Sequence, residues 1–178
     1  MKLLFCYSDK IGSKIIRWGL REPVSHFALS FDESADGYGI VMHSHIQGVQ
    51  ITWFSDFIAH NKIVYCLEPA APLTLQTEER IYRSLATATF GKEYDKSAFY
   101  YFALRGAMSR FFNMPLPEKN LWDDSGKFLC IEMYAALSKA YPDMFPLVAV
   151  DLAITSPYRA YSLIKQSPLI RETKWQSL

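Results

Sequence analysis

The fold is decided by residues 24–52, which read VSHFALSF at 24–31, YGIVMHSH at 38–45 and GVQIT at 48–52. In the first stretch Phe27, Leu29 and Phe31 alternate with smaller or polar residues, the period-two pattern of a strand with one buried face. Turn-forming residues separate the three stretches. The segment therefore predicts three strands joined in an antiparallel meander.

The flanking residues predict further strands and helices. The apolar stretches 2–7 and 62–67 are typical of strands. Between them, Ser8 or Asp9 is expected to cap a helix that runs to about Leu20, and Thr52 to cap a short helix before residue 62. The apolar side of the first helix is supplied by Ile11, Ile15, Ile16 and Trp18.

The second half of the chain has helical spacing. A helix is predicted from Thr77 to a stop at Gly91, and others over 97–110 and 129–140. Residues 113–120 read as a loop, and Ser156-Pro157 as a helix start. Because strands come first and helices second, the class is α+β, an antiparallel sheet packed against helices. The length of 178 residues fits a single domain over 1–178.

Composition excludes several functions. Nineteen Lys and Arg against eighteen Asp and Glu give a net charge of +1, too little for a nucleic-acid partner. The first apolar run is too short for a signal peptide, and no stretch is long enough for an integral membrane segment. Three cysteines without a paired motif indicate a reducing compartment, so a cytoplasmic location is expected.

Cys130 is the candidate for a reactive cysteine. It is predicted in the first turn of a helix, where unpaired N–H groups and the helix dipole would lower its pKa from ~8.5 toward ~3.5–7.5. It also belongs to an apolar helical stripe, so a buried structural thiol is the alternative. Cys6 and Cys66 lie within strands and are interpreted as core residues.

The histidines supply a base for such a thiol. His26 shares a strand face with Ala28 and Ser30, while His43 and His45 share a face of the next strand. The functional hypothesis is Cys130 as nucleophile, His26 as general base and His43 as the group that orients the base. A zinc site on His26, His43 and His45 is an alternative, although an H-x-H pair alone is a weak motif.

Several motifs occur in an order known from one superfamily. The chain resembles the circularly permuted branch of the NlpC-type papain-like superfamily, the YiiX-like and YebB-like proteins, with lecithin retinol acyltransferase as a more distant relative. The motifs that carry the resemblance are Ile15-Ile16-Arg17-Trp18, Ser25-His26-Phe27-Ala28-Leu29, Val41-Met42-His43-Ser44, Gly48-Val49, Gly91-Lys92-Glu93-Tyr94-Asp95 and Phe128-Leu129-Cys130-Ile131-Glu132.

The resemblance implies a papain-like fold and a cysteine hydrolase without a cofactor. It assigns Cys130, His26 and His43 the roles above, and places Tyr94 where it lines the site or polarises a carbonyl. Ile131 replaces the serine that follows the cysteine in many relatives, and His43 replaces a glutamate. The choice between amide and ester chemistry is therefore open, and His45 is an alternative to His43.

Substrate class and competing functions complete the hypothesis. A peptide or amide substrate, such as a cell-wall peptide, is preferred by resemblance, and an acyl-lipid or thioester substrate is the nearest alternative. A zinc-dependent hydrolase and a binding module without turnover are the other two candidates. The sequence leaves the oligomeric state open.

Overall fold

The computed structural model describes residues 1–31, 39–45, 47–95, 100–101, 104, 106, 108, 110–111, 127–128, 130–148, 150–152 and 155–175. The elements in these ranges are β1 (Lys2–Tyr7), α1 (Ile11–Leu20), β2 (His26–Phe31), β3 (Ile40–His45), β4 (Gly48–Trp53), α2 (Phe54–His60), β5 (Lys62–Pro69), α3 (Leu75–Thr89), β6 (Glu93–Tyr94), β7 (Lys127–Phe128), α4 (Glu132–Ala140), α5 (Pro157–Ile164) and β8 (Ile170–Thr173). The predicted loop at 113–120 lies outside the described residues.

Six of the described strands form one sheet in the order β4-β3-β2-β1-β5-β8, and every neighbouring pair is antiparallel. The predicted meander of β2, β3 and β4 is confirmed, as is the α+β class. β8 was not predicted from the sequence. It is a short edge strand with exposed Arg171 and Glu172, so it has no continuous apolar pattern.

The two faces of the sheet are covered differently. Leu3, Phe5 and Phe27 lie on the face that packs against helices α3, α4 and α5. Leu4 and Ala28 lie on the opposite face, which packs against Phe54 and Phe57 of α2. The predicted core thiols Cys6 and Cys66 are both buried, neither forms a disulfide with a described residue, and they belong to this second cluster.

Local capping sets the helix ends. The Thr74 hydroxyl accepts a hydrogen bond from the Thr77 N–H at 3.2 Å, so α3 begins at Leu75, two residues before the predicted start. Gly91 follows the end of α3 with φ of 82°, the left-handed conformation expected of a C-terminal stop. The Ser156 hydroxyl accepts from the Arg159 N–H and caps α5 as predicted.

Helix α1 differs from its prediction at its start. The residue at its N-cap is Lys10 rather than Ser8 or Asp9, and no side chain caps it. Ser8 instead donates its backbone N–H to the Ser13 hydroxyl at 3.1 Å. This contact ties the end of β1 to α1 without making Ser8 the cap.

The apolar side of α1 faces outward. Ile11 is 77% exposed and Trp18 is 51% exposed, while Gly19 is the buried residue of the helix. Gly19 contacts Gly106, one of the helical residues between 100 and 111, so closely that a Cβ on Gly106 would lie 2.6 Å from the Gly19 Cα. Parts of the helix predicted over 97–110 lie outside the described residues.

Across the described ranges, no helix is both long enough and apolar enough to cross a membrane.

Candidate functional site

A cavity of about 540 Å³ opens between α1 and the ends of β2 and β3. Four histidines line it, together with Tyr94 and Tyr100 and with one charged residue, Lys10. None of the described lining residues is acidic. The lining histidines are His26, His43, His45 and His60.

His26 and His43 are hydrogen-bonded to each other. Ala28 lies opposite His43 in the β2–β3 register, so His26, two residues earlier on the same face, is a diagonal neighbour of His43. Nε2 of His26 lies 3.3 Å from Nδ1 of His43, and the two rings are nearly perpendicular. The ring of Phe57 packs against both imidazoles, with its centroid 5.2 Å from that of His43. The pair is thus held by the sheet on one side and by α2 on the other.

Both histidines favour the neutral form. Burial lowers the pKa of His26 well below its ordinary value, and the positive charges of protonated His43, His45 and Lys10 lower it further. Burial also lowers the pKa of His43 to about 4, with smaller effects of His45 and Lys10. At neutral pH each ring therefore carries one N–H, and one ring donates it to the other.

His45 has a different partner. Its Nε2 lies 3.1 Å from the ammonium Nζ of Lys10, which donates the hydrogen bond. Nε2 therefore accepts, and the proton of neutral His45 lies on Nδ1, which is buried without a partner among the described atoms. The alternative that His45 replaces His43 beside His26 does not match this geometry, because the hydrogen bond of His26 goes to His43.

Cys130 lies before α4 and not inside its first turn. The helix begins at Glu132, and Ile131 is the N-cap residue. The residue is 7% exposed, and burial raises the pKa of its thiol to about 11, although backbone hydrogen bonds at Phe27 and Ile131 act in the opposite direction. The expectation of a depressed thiol pKa is therefore wrong, because the loss of hydration outweighs the few N–H groups at this helix end.

Cys130 and the histidine pair lie on opposite faces of the sheet. Cys130 belongs to the core cluster of Leu3, Phe5 and Phe27, whereas His26 and His43 lie on the face of Ala28. The Cys130 thiol forms a backbone hydrogen bond with Phe27, the residue next to His26. Its negative form also raises the pKa of Cys6, which lies opposite His26 in the β1–β2 register, although burial is the larger cause there. Cys130 itself is not among the residues that line the cavity.

Tyr94 connects the cavity wall to the segment before Cys130. It lies in β6, which pairs in parallel with β7 so that Tyr94 is opposite Phe128. Burial raises the pKa of the Tyr94 phenol above its ordinary value, and the negative forms of Cys130 and Asp95 raise it further. The phenol therefore keeps its proton at neutral pH and is able to donate a hydrogen bond.

The cavity wall also contains polar residues that were not assigned to the site from the sequence, among them Ser13, Ser25 and Lys10. The hydroxyls of Ser13 and Ser25 lie 2.6 Å apart and join α1 to the residue before His26. Lys10 forms the contact with His45. Ser25 was adjacent to a predicted site residue, but Ser13 and Lys10 reach the cavity only because α1 packs across the strand ends.

Fold and site together define an α+β protein in which two neighbouring antiparallel strands present a hydrogen-bonded histidine pair to a cavity. Among solved structures, the chain is similar to the crystal structure of the metalloprotein YiiX from Escherichia coli O157:H7. The TM-score is 0.52 at 16% sequence identity, over 98% of this chain and 96% of that one. The chain therefore has a YiiX-like fold. No family model and no curated protein matches the sequence.

Proposed function

We propose that the protein is a thiol-dependent hydrolase of the permuted papain-like type, with Cys130 as nucleophile, His26 as general base and His43 as orienting residue. The observation that carries the proposal is the hydrogen bond between Nε2 of His26 and Nδ1 of His43 at the cavity. Because Nε2 of His26 is engaged with His43, Nδ1 is the ring nitrogen that we assign to the thiol. Cys130 approaches β2 at the backbone of Phe27, the residue that follows His26, so the proposal requires the thiol and the imidazole to meet at this end of the strand.

The resting site in this proposal is a neutral thiol beside a neutral imidazole. As the Cys130 sulfur attacks the substrate carbonyl carbon, the S–H proton moves to Nδ1 of His26 and the carbonyl oxygen becomes an oxyanion. Nε2–H of His26 then donates to Nδ1 of His43, which stabilises the imidazolium. The proton passes from His26 to the leaving group as the carbon–nitrogen or carbon–oxygen bond breaks, and water releases the acyl group from sulfur.

Two kinds of donor are available to the oxyanion. The backbone N–H groups of Cys130 and Ile131 lie close enough to the sulfur to lower its pKa, and we assign them as the first donors to the oxyanion that forms on the carbonyl attacked by this sulfur. The protonated phenol of Tyr94 lines the cavity and is the second donor we assign. Their combined effect is to favour the tetrahedral intermediate over the bound substrate.

The cavity narrows the substrate class. Among the described lining residues, Lys10 is the one that carries a charge and none is acidic, so a neutral or anionic substrate is favoured over a cationic one. We propose an amide or peptide bond as the substrate, including cell-wall peptides. An ester or thioester of a lipid is the alternative on the same site.

A metal-dependent reaction is the second candidate, because the similar structure is that of a metalloprotein. The 3.3 Å between the facing nitrogens of His26 and His43 suits two ligands of one tetrahedral zinc, for which each Zn–N bond is ~2.0–2.1 Å. Yet the described residues contain no group of three His, Cys, Asp or Glu side chains that could hold a metal. The donor set is thus incomplete among them, and we assign no step to a metal.

The test is hydrolysis of a panel of aminoacyl amides, peptides, acyl esters and thioesters by wild type, Cys130→Ala and the matched control Cys66→Ala. We expect turnover in wild type and in Cys66→Ala, its loss in Cys130→Ala, and no change after treatment with a chelator. Activity that survives Cys130→Ala but not the chelator favours the metal candidate. No turnover of any member of the panel by wild type favours a binding module.

A further inference from the structure

Helix α1 presents an apolar face away from the sheet. Ile11, Lys14, Ile15 and Trp18 follow the spacing i, i+3, i+4 and i+7, and all four are exposed. The opposite side of the helix is the one that lines the cavity, through Gly12, Ser13 and Ile16. This distribution reverses the usual pattern of a surface helix, in which the apolar stripe faces the core.

A second segment extends this surface. Phe111 is 66% exposed, and its ring centroid lies 6.1 Å from that of Trp18. The guanidinium of Arg110 lies 4.1 Å above the Trp18 ring and donates a hydrogen bond to the Trp18 carbonyl. Trp18 is therefore held in place at the surface. We call Ile11, Ile15, Trp18 and Phe111 the α1 patch.

Among the described residues, the charges beside the α1 patch are positive. Lys14, Arg21 and Arg110 are exposed beside it, and α1 contains no Asp or Glu. The nearest acidic residues in the sequence are engaged elsewhere: Asp9 forms an ion pair with Lys62, and Glu22 accepts a hydrogen bond from the Ser156 hydroxyl. Apolar and cationic side chains therefore share this surface.

We propose that the α1 patch docks on the surface of an anionic lipid bilayer. Isoleucine and aromatic side chains gain free energy by entering the boundary between headgroups and acyl chains, where tryptophan is favoured. The basic residues at the rim would meet anionic headgroups, and their long aliphatic stems suit that depth. Because the other side of α1 lines the cavity, docking would bring the cavity close to the bilayer. This inference does not rest on the proposed hydrolase activity.

The test is co-sedimentation with vesicles of phosphatidylcholine alone and of phosphatidylcholine with 30% phosphatidylglycerol. We expect binding to the anionic vesicles that weakens at high salt. The double variants Ile11→Ser/Ile15→Ser and Lys14→Glu/Arg21→Glu should each weaken binding at least about tenfold, as expected for lost apolar contacts and reversed charges. Leu147→Ser and Lys139→Glu alter exposed residues outside the patch and should bind like wild type.

A second measurement needs only one conservative variant. Brominated lipids should quench the fluorescence of Trp18, obtained as the difference between wild type and Trp18→Phe. The proposal is overturned if no vesicle is bound, if binding is the same with and without anionic lipid, or if the patch variants bind unchanged. It is equally overturned if those variants abolish self-association in sedimentation equilibrium while vesicle binding is absent.

Discussion

His26 and His43 belong to neighbouring antiparallel strands, and their side chains meet through Nε2 and Nδ1 at 3.3 Å. The diagonal register of β2 and β3 sets this distance, and the Phe57 ring covers the pair from α2. Each position is thus fixed by backbone pairing and packing. The orientation of the His26 imidazole is therefore set by the sheet and by α2.

His43 should act by orienting His26. We expect His43→Ala to lower kcat by about 10- to 100-fold with a smaller change in KM, because the imidazole of His26 loses its hydrogen-bond partner. His43→Asn offers a replacement amide and should retain more activity than His43→Ala. His60→Ala is the control, since His60 lines the cavity but bonds the Asp56 carbonyl. Equal activity of wild type and His43→Ala would contradict the assignment.

Stability should fall as the pH drops from 6.5 to 4. His43 has a pKa of about 4 in the folded protein and 6.5 as an unperturbed group, so in this range the unfolded chain binds a proton that the folded chain does not. The free energy of unfolding therefore decreases as the pH falls, by on the order of 3 kcal/mol once the pH is below both pKa values. Above pH 6.5 His43 is neutral in both states, so it adds no pH dependence to the free energy of unfolding.

Urea unfolding of wild type and His43→Gln at pH 7.5, 5 and 4 measures this effect. The free energy of unfolding of the variant should decline less between pH 7.5 and 4 than that of wild type. Parallel curves for the two proteins would show that His43 titrates normally.

The Cys130 thiol should remain protonated at neutral pH. Since burial raises its pKa to about 11, its alkylation rate should keep rising with pH beyond 9. Peptide mass spectrometry after timed exposure to iodoacetamide reports the rate at Cys130 separately from those at Cys6 and Cys66. A plateau reached below pH 8 would instead indicate a resting thiolate paired with protonated His26.

Gly106→Ala should destabilise the protein. Alanine in place of a helical glycine normally stabilises by up to ~1 kcal/mol. Here the added Cβ would lie 2.6 Å from the Gly19 Cα, and backbone cannot move aside as a side chain can. We expect a net loss of about 1–3 kcal/mol, measured by urea unfolding. Ser84→Ala, at an exposed position of α3, is the control and should change stability by a few tenths of a kcal/mol at most.

The strands could be predicted because their signal is local. Alternation in β2 and β3 defines which residues share a face, so His26 and His43 could be assigned to one side of the sheet. His45 lies on that same face of β3, and the sequence could not choose between it and His43. Only the register between the strands and the position of Lys10 distinguish them.

The environment of Cys130 could not be predicted from the same signals. The apolar helical spacing already includes Cys130, although α4 begins only at Glu132. This spacing also gives no measure of how deeply the thiol is buried. For α1 the spacing located an apolar side but not the direction in which that side points. That direction depends on the Gly19–Gly106 contact, between residues 87 positions apart in the chain.

The position of β1 at the interior of the sheet bears on the order of assembly during synthesis. Its neighbours β2 and β5 both come from the first 69 residues, which also contain β3 and β4. A nascent chain that has left the ribosome as far as Pro69 therefore already carries the two imidazoles and the pairing partners that align them. Cys130 is translated about sixty residues later, so these five strands are able to pair before that thiol has been synthesised.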